Sequence, residues 1–70
     1  MRDPNRLDNF YTDFRIYHKK YFPDIRFGQL CCNFFGWIMS EKESDVFYIE
    51  ENRMLDLLKE YCETHSRKRL

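Results

Sequence analysis

The sequence predicts an all-α fold: a compact three-helix domain with a charged loop between its second and third helices. Three observations carry this. Apolar residues recur at helical spacing in three separate stretches. The chain has only two glycines and two prolines, and they punctuate it. Thirteen aromatic side chains in 70 residues (seven Phe, five Tyr, one Trp) supply the large apolar groups with which a short chain fills a core.

The first helix is expected over about 4–21. Asp3 before Pro4 is a helix-start signal, with an acidic N-cap and proline at the first helical position. Leu7, Phe10, Phe14, Tyr17 and Tyr21 then draw one continuous stripe. Asp8 and Asp13 toward the start and Lys19 and Lys20 in the last turns match the helix dipole, and only Arg6 opposes it. Pro23 ends the helix by pushing Phe22 out of the α region.

Asp24 is the expected cap of a second helix over about 26–39. Its stripe is Phe27, Leu30, Cys31, Phe34 and Ile38, widened by Phe35 and Trp37. A β-strand is the rival for part of this run, but Gln29, Cys32 and Asn33 suit the outer face of a helix. Gly28 weakens a helix unless another backbone packs closely there. Residues 40–50 form the loop, charged through 40–46. Phe47-Tyr48-Ile49 is then expected as an extended segment that folds back and latches onto the core. The third helix is expected over about 51–65. It opens on Glu50 and Glu51 and buries Met54, Leu55, Leu58, Tyr61 and Cys62, with Leu57 beside them. A loose basic tail, 66–70, follows.

Net charge is zero, yet residues 41–63 carry eight acidic and three basic side chains before Arg67, Lys68 and Arg69 close the chain. This is not the broad basic face of a typical nucleic-acid-binding domain. No apolar run approaches the ~20 residues of a bilayer span, and the N-terminus lacks a secretory pattern. Three cysteines, two of them adjacent, cannot form a fully paired disulfide framework. The expectation is a cytoplasmic protein with reduced thiols and no membrane association.

No catalytic motif is present: no glycine-rich phosphate loop, no Gly-x-Ser-x-Gly, no His-Glu-x-x-His. The sequence therefore predicts a non-enzyme without a cofactor. Cys62 and His65 stand three apart, and Cys31 and His18 complete a conceivable Cys₂His₂ set. Cys31 and Cys62 lie on apolar stripes, however, where cysteine behaves as a small hydrophobe, and His18 reads as a solvated helix end. No metal is expected.

Protein binding follows from the surplus of aromatics. Tyr11, Phe22, Phe35, Trp37 and Tyr48 fall at stripe edges or in turns, where they either anchor a partner or merely cap the core. A self-complementary patch would make a homodimer. The alternative is a nucleic-acid-associated accessory protein that uses Arg15, Lys19, Lys20 and the tail Arg67-Lys68-Arg69.

Pro23-Asp24-Ile25-Arg26-Phe27-Gly28-Gln29-Leu30, followed by Asp45-Val46-Phe47-Tyr48-Ile49-Glu50-Glu51, resembles a group of short uncharacterised proteins encoded by bacteria and their phages. In that group a Pro-Asp-Leu-Arg-x-Gly-Gln-Leu stretch precedes Asp-Pro-Phe-Tyr-x-Glu-Asp and a leucine-rich helix. The chain departs from it at Val46 and Glu51, the latter weakening the cap of the third helix. The resemblance implies a bacterial or phage origin and a compact helical fold, and it carries no activity. With Trp37, Tyr48, Phe35 and Tyr11, the motif residues Arg26 and Gln29 complete the expected partner-binding set. Arg26 and Gln29 have an alternative structural role, satisfying backbone carbonyls of the loop.

Overall fold

The structure, a computed structural model, describes residues 2–66; the expected basic tail lies outside the described residues apart from Ser66. Three helices appear in order: α1 (Arg6–Tyr21), α2 (Phe27–Glu41) and α3 (Glu51–His65), with one 3₁₀ turn (Val46–Tyr48) before α3. The three-helix architecture is the one the periodicities predict.

The start signal of α1 acts two residues ahead of the regular helix. Asp3 Oδ1 accepts from the Asn5 backbone N–H at 3.0 Å. The N–H groups of Arg6, Leu7 and Asp8 donate to the carbonyls of Asp3, Pro4 and Asn5. These three-residue spacings form a tight turn before α-helical bonding takes over. At the other end the Phe22 N–H donates to the His18 carbonyl at 3.0 Å, and the Ile25 N–H donates back to Phe22. His18 is half-buried rather than solvated, and its Nε2 lies 2.8 Å from the Ile25 carbonyl, to which it donates. The histidine therefore ties the Pro23-Asp24 turn to α1.

That turn displaces the expected cap of α2. Asp24 is consumed in the reversal, and Arg26 takes the N-cap position with extended backbone. Gln29 Oε1 accepts from the Arg26 N–H at 3.0 Å, satisfying a donor at the helix start. The Gln29 side chain is thus engaged locally, not on the loop as expected. α2 runs two residues past Met39, and its last turn closes where the Lys42 N–H donates to the Ile38 carbonyl at 3.0 Å. Beyond it Glu43 takes φ 51°, the left-handed conformation that glycine adopts without cost.

α3 is the central element. It lies beside α1, and the two run in the same direction: Arg6 pairs with Glu51 near both N-termini, and Phe22 meets Tyr61 further along. α2 packs on the C-terminal half of α3, where Phe34 and Trp37 reach Tyr61 and Lys42 Nζ lies 2.8 Å from Glu60. Among the described residues eight are buried, Phe22, Leu30, Phe34, Ile38, Leu57, Leu58, Tyr61 and Cys62, and of these Leu30, Ile38, Leu57, Leu58 and Cys62 are fully so. Because both neighbours cover α3, Leu57 is buried with the predicted stripe rather than lying beside it. α1 buries no residue completely; Phe14, Tyr17 and Tyr21 pack half-buried against the core.

Two expectations fail on packing. A Cβ built on Gly28 meets nothing within 4 Å, so no backbone approaches it closely. Of the expected extended segment only Ile49 is extended, and Phe47 and Tyr48 do not latch it onto the core. Val46–Tyr48 wind into the 3₁₀ turn, so Val46 and Ile49, three apart, face the core while Phe47 and Tyr48 point away.

Candidate functional site: two exposed aromatic surfaces

Four of the thirteen aromatic residues form one continuous seam. Phe22, Phe34, Trp37 and Tyr61 meet at centroid separations of 5.3–6.3 Å, within the range favourable for offset and edge contacts. His65 stacks on Tyr61 at 4.4 Å and meets the edge of Trp37. Lys42 lies 5.4 Å from the Trp37 ring centre. Trp37 and Phe35, both expected to anchor a partner, are half-buried in the wall of the core.

The exposed aromatic rings among the described residues gather in two places, while the exposed aliphatic side chains Ile16 and Met39 stand apart from both. The first is the 3₁₀ turn. Phe47 is 80% exposed and Tyr48 76%, and their rings form an edge-to-face pair at 4.8 Å. The turn is held from both sides. Asp45 Oδ1 accepts from the Phe47 N–H at 3.0 Å, and Val46 and Ile49 pack on the core. The chain leading to the pair is acidic: Glu41 at the end of α2 and Glu43 and Asp45 on the connection are exposed and form no ion pair among the described residues.

The second surface lies where α1 passes the start of α2. Tyr11 and Phe27 are 61% and 62% exposed. Tyr11, Phe10, Phe14 and Phe27, in that order, form a chain of rings linked at 5.3, 6.0 and 5.9 Å. One turn apart on α1, Tyr11, Arg15 and Lys19 share a face, as i, i+4 spacing requires. With Phe14, His18 and Phe27 they line a depression of about 220 Å³. Here the structure unites residues from both predicted sets, the partner-binding Tyr11 with the basic Arg15 and Lys19. Lys20 is drawn aside, its Nζ 5.2 Å from the Tyr21 ring centre. Arg26 is exposed at the nearby N-cap of α2.

The sequence places Phe27 on the buried stripe of α2 and Phe47 in a latch; both are exposed. Phe27 is the first residue of its helix, beyond the reach of α3. The signal for Phe47 was the apolar pair Val46 and Ile49, whose spacing of three marks the inward face of a tight turn.

Two other depressions are open and more polar. One of about 540 Å³ lies between the N-terminal halves of α1 and α3, lined by Arg6, Asn9, Asp13 and Glu51 among others. The Arg6 guanidinium hydrogen-bonds Glu51 at 2.9 Å and lowers its carboxyl pKa below the ordinary range. This explains Arg6, the one charge misplaced for the α1 dipole: it serves α3. The other, about 410 Å³, lies over Gly28, Gln29, Cys32 and Asn33.

The conceivable metal ligands do not converge. Among the described residues no three His, Cys, Asp or Glu side chains gather around one point. His18 is committed to Ile25, and His65 Nδ1 lies within hydrogen-bond reach of Thr64 Oγ1 and the Tyr61 carbonyl. Burial pushes the Cys62 thiol up to about 11 and raises Cys31 as well, with Cys32 adding to the latter, so both are protonated at neutral pH. Burial likewise raises Tyr61. No helix among the described residues is long and apolar enough to cross a membrane.

Comparison of the chain with protein-family models, curated proteins and solved structures finds no match.

Proposed function

We propose that this protein is a non-enzymatic protein-interaction module of bacterial or phage origin, an adaptor or inhibitor that docks on a larger host protein through Phe47 and Tyr48. The observation that carries the reading is the exposure of two adjacent aromatic rings on a turn whose flanking residues are anchored in the core. Aromatic side chains are the commonest interface anchors, and each ring withdraws roughly 150–250 Å² from water when a pocket takes it. A pre-formed turn also reduces the ordering cost of association. The acidic chain leading to the pair favours a partner pocket with a basic rim. The origin rests on the resemblance of the segments 23–30 and 45–51.

The test is affinity capture from bacterial lysate with nuclease present, comparing wild type with Phe47→Ala/Tyr48→Ala. The expected result is one stoichiometric protein partner, retained by wild type and released by the variant. Loss of both rings should cost about 2–4 kcal/mol of binding, roughly 30- to 1000-fold in affinity. Equal capture by both proteins would remove the turn as the docking element.

A further inference from the structure

We propose that the depression at the start of α2 binds single-stranded nucleic acid, with Tyr11 and Phe27 as stacking platforms and Arg15 and Lys19 as phosphate contacts. The site is separate from the Phe47-Tyr48 turn, which lies on the connection leaving the opposite end of α2, and it does not depend on the docking role of that turn.

Single-strand binders combine exposed aromatic faces, on which bases stack irrespective of sequence, with cations that follow the backbone. Both components are present in one small depression. Tyr11 and Phe27 are more than half exposed, and each ring is braced by a neighbour, Tyr11 by Phe10 at 5.3 Å and Phe27 by Phe14 at 5.9 Å, with Phe10 and Phe14 themselves 6.0 Å apart. Bracing matters because a stacking ring must be held in place before the base arrives. His18 gives the depression a fixed wall, since its Nε2–H is committed to the Ile25 carbonyl at 2.8 Å. Arg15 and Lys19 are exposed and form no ion pair among the described residues, so their charge is available to a phosphate. Exposed Arg26, next to Phe27, extends the basic side. The depression, about 220 Å³, is of the scale of a single base. An α-helix read against duplex DNA instead presents a run of polar side chains to base edges, and this face presents rings.

Charge also separates this surface from the other exposed aromatic pair. Phe47 and Tyr48 follow a stretch of chain with three exposed carboxylates, which repels phosphates. The two surfaces are therefore suited to different ligands, and a chain with both would hold a protein beside a single strand.

The experiment is fluorescence anisotropy of the full chain with a labelled 12-nucleotide oligo-dT, its RNA counterpart and a duplex of equal length, at 50 and 200 mM salt. Two phosphate contacts on a single strand predict a salt slope near −1.4, so affinity should fall about sevenfold over that range. Tyr11→Ala and Phe27→Ala should each weaken binding by about fivefold or more at unchanged helical circular dichroism, because stacking contributes about 1–3 kcal/mol per base. Tyr11→Phe should bind like wild type, and Phe47→Ala/Tyr48→Ala should bind oligo-dT unchanged. Absence of binding at 50 mM salt overturns the proposal. So does a preference for duplex, or binding that survives Tyr11→Ala and Phe27→Ala together. If oligo-dT fails to bind and sedimentation shows a dimer that Tyr11→Ala dissociates, the face belongs to a second copy of the chain and the proposal is wrong.

Discussion

The buried seam of Phe22, Phe34, Trp37 and Tyr61 and the exposed rings of Phe47, Tyr48, Tyr11 and Phe27 are built from the same kinds of side chain but meet opposite fates. The seam rings lie where α2 and the end of α1 meet the C-terminal half of α3: Phe34, Trp37 and Tyr61 each contact the other two, and Phe22 adds to Tyr61. The exposed rings lie at the margins of the fold, on the outer face of a 3₁₀ turn, along α1 and at the first residue of α2. A domain of 70 residues has little interior, so position relative to the central helix decides a ring's role more than its hydrophobicity does.

Breaking the seam should give the largest effect. Phe34 is 2% exposed and touches Phe35, Trp37 and Tyr61. Phe34→Ala is expected to cost about 3–5 kcal/mol in urea unfolding, a large share of the stability of a chain this short. Trp37→Ala should cost less, because Trp37 is only partly buried. A Trp37→Ala protein as stable as wild type would show that the seam does not extend to that ring.

Cys62 reports on the same seam through pH. Its folded pKa of about 11 lies above the ordinary thiol value of 9.0, so the unfolded chain releases its proton first as pH rises. The stability this burial contributes is complete below pH 9 and is lost between pH 9 and about 11. Cys62→Ala should flatten that alkaline decline in melts across the range. At neutral pH a maleimide should label exposed Cys32 rapidly and Cys62 only on unfolding.

Smaller changes sharpen the boundary between seam and margin. A Cβ at Gly36 would meet nothing within 4 Å, so Gly36→Ala should raise stability by about 0.5–1 kcal/mol through helix propensity alone. Glu43, held at φ 51°, should gain a similar or smaller amount on Glu43→Gly, since glycine takes that conformation freely. A destabilised Gly36→Ala would mean that α2 packs more tightly there than its surroundings indicate. The smallest effect belongs to the N-terminal margin. The Arg6 hydrogen bond depresses the Glu51 pKa, so its contribution is present above the ordinary carboxylate range and lost as pH falls through the lowered value. Glu51→Gln should therefore slightly reduce the acid dependence of stability, and an unchanged acid limb would contradict the pairing.

The helices were legible in the sequence because periodicity survives without knowledge of partners. Leu30, Phe34, Ile38, Leu58, Tyr61 and Cys62 all lie on the stripes that spacing draws. The margins were less legible. Whether Asp24 or Arg26 caps α2 depends on how the Pro23 reversal closes, and that rests on a His18 hydrogen bond seven residues away in sequence. Leu57 is buried only because α3 is covered on both sides, a fact of tertiary arrangement. Of the expected partner-binding set, Tyr11 and Tyr48 are exposed, Trp37 and Phe35 wall the core, and Gln29 serves its own helix start. Phe27 and Phe47 were missed because helix and strand patterns classify a residue by its neighbours on a face, and both residues sit where the face ends.

The measurement that tests the division between seam and margin most directly is the unfolding free energy of Phe47→Ala/Tyr48→Ala in urea. If the rings stand outside the core, removing both leaves stability within about 0.5 kcal/mol of wild type, as for ordinary surface substitutions. A loss of about 2 kcal/mol or more, the scale of a core truncation, would place the pair in the fold and contradict the account.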